Sequence, residues 1–176
     1  MKLLRRVILF ILCLPFNLIV GWPAVLIARA CWGTPLVWEI APTSGGLPAL
    51  TTDLKSDSWA GRTWGRAWAG VTLGHAIVYG PGVRIPGASW APVQAHEHVH
   101  VEQYEGTMAA HALLGLLVFG AVFAFSPLAA ALVGLGIWFL GYLMFLMGGW
   151  LGAILRGESV YRGSAHEEAA RAETGT

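Results

Sequence analysis

Fifty consecutive residues, Gly106 to Leu155, contain no Asp, Glu, Lys or Arg. As one α-helix they would extend about 75 Å, more than twice the ~30 Å hydrocarbon thickness of a bilayer. The run therefore reads as two membrane spans broken at Ser126-Pro127, one from Met108 to Phe125 and one from Leu128 to Leu155, joined by a tight hairpin. The second is long enough to tilt or to project beyond the bilayer. Another uncharged run, Val7 to Ala28, follows the basic start MKLLRR. It exceeds the ~7 to 15 residues of a signal-peptide core, so residues 1–30 are expected to be an uncleaved signal anchor, although Ala28-Arg29-Ala30 fits a small-x-small cleavage site. Pro15 and Pro23 should kink it. Charged residues make up 12% of the chain, against roughly 25% in soluble domains. The fold class that follows is mainly α and integral to the membrane, with about three transmembrane helices.

Residues 31–106 hold most of the polar and turn-forming residues and are the candidate for an extramembrane domain. A domain of ~75 residues has a marginal core, so it should lean on the bilayer surface or the helices. Trp32, Trp38, Trp59, Trp64 and Trp68 suit the headgroup zone as well as they suit an ordinary core. Val71 to Tyr79, VTLGHAIVY, is the best strand candidate, closed by Gly80-Pro81-Gly82. The hairpin occupies residues 107–155 and the tail 156–176.

Lys2, Arg5 and Arg6 precede the first apolar run and Arg29 ends it. The expectation is a cytoplasmic amino terminus, with residues 31–106 on the outer, periplasmic or extracellular, face of a bacterial cytoplasmic membrane. Two further crossings return the tail to that same face. The net charge of +1 and the scattered basic residues argue against a nucleic-acid partner, which needs a dense basic patch. Cys13 and Cys31 would be ~27 Å apart on one helix, too far for a disulfide.

The chemistry concentrates in QAHEHVHVEQYE, residues 94–105. His96-Glu97-His98-Val99-His100 satisfies HExxH. Residues four apart on a helix share a face, so His96 and His100 can direct two imidazoles at one metal ion. Glu97 emerges beside that face, where a metallopeptidase places its general base. His98 points about 200° away and reads as a bystander. Catalytic zinc commonly takes three protein ligands, and the tail, ESVYRGSAHEEAARAE, offers candidates in Glu158, His166, Glu167 and Glu168.

HExxH followed much later by a glutamate on another helix resembles the gluzincin class of zinc metallopeptidases. HEHVHVEQYE, the preceding VTLGHAIVY and the later YRGSAHEEAA also resemble a group of small, uncharacterised bacterial membrane proteins that carry HE-x-VHV-x-QYE and a C-terminal x-E-x-x-A segment. The likeness covers about a third of the chain. It implies a small α+β zincin-like surface domain, His96 and His100 as Zn2+ ligands, Glu97 as base and Glu167 as third ligand, with Glu168, Glu158 and His166 as alternatives. Where such proteins often have Asn-Pro shortly before the final Glu, this chain has Ser164-Ala165.

Tyr104 continues the His96/His100 face and Tyr161 lies in the tail; either could stabilise an oxyanion. His111, ~16 Å beyond His100 on one helix, cannot join the same metal and reads as a bundle hydrogen-bonder ahead of a residue lining a polar path. His75 falls in the expected strand, where zincins hold an extended substrate by backbone pairing. These residues together suggest a membrane-anchored zinc metallopeptidase hydrolysing peptides or membrane proteins at the surface of the lipid bilayer. The alternatives are a non-catalytic metal-binding membrane protein (a sensor, carrier or assembly factor) and a structural membrane protein.

Overall fold

The computed structural model describes residues 2–39, 48–63, 69–83, 90–157 and 164–175. The chain divides into two compact units, Met1–Glu102 with Ala170–Thr176, and Gln103–Ala169.

In the first unit, α1 (Lys2–Phe16) and α2 (Trp22–Trp32) are joined by a π-helical turn, Asn17–Gly21. Proline has no N–H to donate, so Pro15 and Pro23 each remove one rung of the i to i−4 ladder. The residues between them take up the slack by widening the turn, and the Trp22 N–H bonds back five residues to the Asn17 carbonyl. The stretch between the two prolines is thus a π bulge.

A mixed sheet follows, in the order β1 (Val37–Glu39), β2 (Ala49–Asp53), β4 (Ala76–Tyr79), β3 (Gly70–Thr72), with short helix α3 (Trp59–Thr63) between β2 and β3. β2 and β4 are parallel, while β1 on β2 and β3 on β4 are antiparallel. The stretch expected as one strand, Val71 to Tyr79, is instead the β3–β4 hairpin. Gly74 adopts φ +64° at its tip, a left-handed conformation that costs other residues a steric penalty and reverses the chain.

Side chains alternate across a strand, and the sheet is covered on both faces. On one face Ala49, Ile77 and Tyr79 pack with Val101, flanked by Val93, both from α4 (Trp90–Phe123). On the other, Leu50 and Ala76 pack with Val25, flanked by Trp22 and Val78. The second of the amino-terminal helices therefore packs as one layer of this domain. Gly21 and Gly74 permit the close approach: a Cβ on Gly21 would lie 2.6 Å from the Leu73 carbonyl oxygen, and one on Gly74 would lie 2.7 Å from the Asn17 side-chain oxygen.

α4 continues unbroken through residue 106, where the polar segment was expected to end, and the chain divides into its two units between Glu102 and Gln103. Gly106 alone costs roughly 1 kcal/mol in a helix interior, too little to stop one with apolar turns ahead. In the second unit the later part of α4 meets α5 (Pro127–Leu155) in a close crossing. A Cβ on Gly115 would lie 2.6 Å from the Gly134 carbonyl oxygen, and one on Gly141 would lie 2.6 Å from the His111 side chain. Small residues at such crossings let helix backbones touch. The chain turns at Ser126-Pro127 as expected.

Two of the described helical stretches, Leu4–Trp32 and Pro92–Phe123, are long and apolar enough to cross a membrane. A shorter apolar stretch, Pro127–Gly141, begins α5. Many of their apolar side chains face outward: Leu116 is 65% exposed and Leu128 71%.

Candidate metal centre

α4 presents Val93, Glu97 and Val101 at intervals of four, which places all three on the stripe that faces the sheet. The valines join the core around Ile77 and Tyr79, and Glu97 is delivered between them to β3. Thr72 Oγ1 donates a 2.6 Å hydrogen bond to Glu97 Oε2. Gly70 leaves the room: a Cβ there would stand 2.5 Å from Glu97 Oε1. Glu97 is buried, yet its carboxylate is held rather than stranded, as a buried charged group requires.

His96 and His100 are both buried and lie one turn apart. Their rings are perpendicular, with centroids 4.8 Å apart, and the two Nε2 atoms are 3.2 Å from one another. Two imidazole nitrogens bound tetrahedrally to zinc at 2.0 to 2.1 Å would be about 3.4 Å apart. The rings are thus already set at the spacing one ion would impose.

The third candidate donor lies on α6 (Ala165–Thr174). Ser164 caps this helix: its Oγ accepts from the Glu167 N–H at 3.2 Å and its carbonyl from the Glu168 N–H at 3.0 Å. Serine and asparagine are comparable N-caps, so Ser164 fills the role that an asparagine would have at this place. Gln103 Nε2 donates to the His166 carbonyl at 3.1 Å, tying the start of α6 to α4 about one turn past His100. His96, His100 and Glu167 form a group that could hold a metal ion, with one ligand atom from each and all of these atoms within 4.8 Å of one another. Among the alternatives, Glu168 is exposed and stands 4.0 Å from Arg156, while the backbone carbonyl of His166 is engaged by Gln103. Glu158 and Tyr161 lie outside the described residues.

His98 does point away from this group, but it is not idle. It is buried with its Nε2 3.8 Å from Glu39 Oε2, and Tyr79 donates its hydroxyl to that same oxygen at 3.0 Å. This cluster pins the HExxH stretch of α4 to β1 and β4. The only sequence signal for it was an acidic residue in an otherwise apolar VWE strand. Thr72 and Gly70 were equally invisible as partners of Glu97.

The remaining histidines have structural partners. His75 sits at the hairpin turn, where its N–H donates to Asn17 Oδ1 at 3.1 Å and its Nδ1 lies 2.9 Å from Asn17 Nδ2. His111 Nδ1 donates to the Thr107 carbonyl at 3.0 Å. Tyr104 is fully buried. Comparison of the chain with protein-family models, with curated proteins and with solved structures found no match.

Proposed function

We propose that this chain is a zinc-dependent metallopeptidase anchored in a bacterial cytoplasmic membrane, cleaving peptides or membrane proteins at the membrane surface. The observation that carries the reading is the 3.2 Å separation of the His96 and His100 Nε2 atoms, with Glu167 as candidate third donor and Glu97 next to His96 in the chain. Two histidines and a carboxylate suit zinc, and three protein ligands leave a position open. Zinc held there would polarise a carbonyl and acidify a water toward neutrality.

The chain's own groups do the rest. Glu97 takes the proton from the attacking water and passes it to the leaving amine. Thr72 holds one Glu97 oxygen, which orients the other. β3 is a terminal strand of the sheet, so its outer backbone edge can pair with an extended peptide. Tyr104 and Tyr161 are the candidates to stabilise the oxyanion. Outward-facing leucines on two long apolar helices support the membrane placement.

The test is Glu97→Gln. It should lower peptide hydrolysis by about 10²- to 10⁴-fold, the range of general acid–base catalysis, with bound zinc unchanged by metal analysis. Activity equal to wild type removes Glu97 as base. Zinc below about 0.2 per chain after zinc-replete purification at neutral pH removes the metal centre itself. Glu167→Ala should weaken zinc binding while Glu168→Ala leaves it unchanged; the reverse result reassigns the third ligand.

A further inference from the structure

A cavity of about 400 Å³ lies between α2 and the β3–β4 hairpin. Ala24, Ile27, Ala28 and Trp32 form its helical wall, and Val71 and Val78 form much of its strand wall. Val71 pairs with Val78 across the hairpin, and Val78 packs on the α2 face of the sheet. Thr72, the next residue, faces Glu97 instead. Strand alternation therefore sets the Val71 and Val78 wall of this cavity on the sheet face opposite Glu97, and Gly70 is the lining residue that also borders Glu97.

Its contents can be argued from size, lining and position. Water finds few partners against such walls, and a bare void forfeits the contacts of every atom around it. A cavity of ~150 Å³ accommodates one benzene, so a single apolar side chain would underfill this one. A flexible chain of methylenes would not. The helical wall belongs to the membrane-length stretch Leu4–Trp32, and Ile27 is 57% exposed. The cavity thus adjoins the outward apolar surface of that stretch.

We propose that this cavity binds one acyl chain of a bilayer phospholipid, entering past Ile27 and lying between α2 and β3. The proposal rests on the membrane placement given above but requires neither zinc nor catalysis. Trp32 in the wall supplies the reporter. The detergent-purified full chain is titrated with phosphatidylcholine brominated on its acyl chains, and the fluorescence of wild type is compared with that of Trp32→Phe to isolate Trp32 emission. Saturable quenching of that component is expected. Ala24→Phe, which fills the cavity, should raise the half-saturation concentration by about tenfold or more, equivalent to losing roughly two buried methylenes. Leu26→Phe, on the exposed side of α2, should leave it unchanged.

Val71→Phe fills the cavity from the strand side and serves as the second variant if Ala24→Phe does not fold. Quenching that is absent, or that is indifferent to filling, overturns the proposal. So does displacement by a leucine-rich peptide where lipid fails to quench, which would assign the cavity to a peptide. Carbonate extraction of native membranes tests the placement separately: a chain released by carbonate removes the bilayer as the source of the lipid.

Discussion

The two faces of one short sheet are built from the same strands and do opposite work. On the α2 face, Leu50 and Ala76 meet Val25 in an apolar layer with an apolar cavity at its edge. On the α4 face, the core of Ile77, Tyr79 and Val101 is interrupted by buried polar contacts, Thr72 to Glu97 and the group of Glu39, Tyr79 and His98. Burying polar groups costs free energy even when they are paired, and a core of equal volume could be made from hydrophobes alone. On the reading proposed above, the face that carries HExxH is the working side and the α2 face its support.

Substitutions can separate these roles. The largest expected effect is His100→Ala, which leaves a single imidazole on α4 and should reduce bound zinc from about one per chain to below ~0.2, with the protein still folded. Leu50→Ala on the opposite face should do the reverse. It is expected to cost about 2 to 5 kcal/mol of stability, read as a lowered unfolding transition in detergent, while zinc per folded chain stays at wild type. If Leu50→Ala lowers zinc binding as strongly as His100→Ala, the division between the faces is wrong.

The next effect concerns the pin between α4 and the strands. His98→Leu removes the imidazole facing Glu39 and leaves that buried carboxylate with fewer polar neighbours. A loss of about 1 to 3 kcal/mol is expected. Glu39→Gln together with His98→Leu should recover part of the loss, because the charge has gone with its partner. A double variant that is simply additive would show that Glu39 and His98 do not act together.

Local rules exposed some of this and hid the rest. HExxH was legible because helical periodicity alone puts His96 and His100 on one face, and the tail glutamates stood out against a long uncharged run. Ser126-Pro127 announced its turn for the same local reason. Glu39 with His98 was not legible, since 59 positions separate them and only the pairing of β1 with β2 brings the acid to α4. The β3–β4 hairpin hid because VTLGHAIVY is mostly apolar and its one glycine could equally have been a strand residue; the φ of +64° at Gly74 shows which. α4 runs unbroken through the change of composition at Gly106, because helix continuity depends on backbone hydrogen bonds, which polarity does not interrupt.

The smallest change bears most directly on why the α4 face is polar. Thr72→Val keeps the shape of the side chain and deletes only the hydroxyl that donates to Glu97 at 2.6 Å. A hydrogen bond to a charged group contributes about 1.5 to 3 kcal/mol, so some stability is lost, but a purely structural bond would leave the kinetics of folded enzyme alone. If the bond orients the base, turnover should fall by roughly tenfold with zinc content unchanged, and the loss should sit in kcat rather than KM, because the proton transfer is made only in the transition state. Thr72→Ser restores a donor at the same place and should recover most of the rate. Equal kinetics for the valine, serine and wild-type proteins, alongside an inactive Glu97→Gln, would mean that Thr72 merely shields a carboxylate already held by α4.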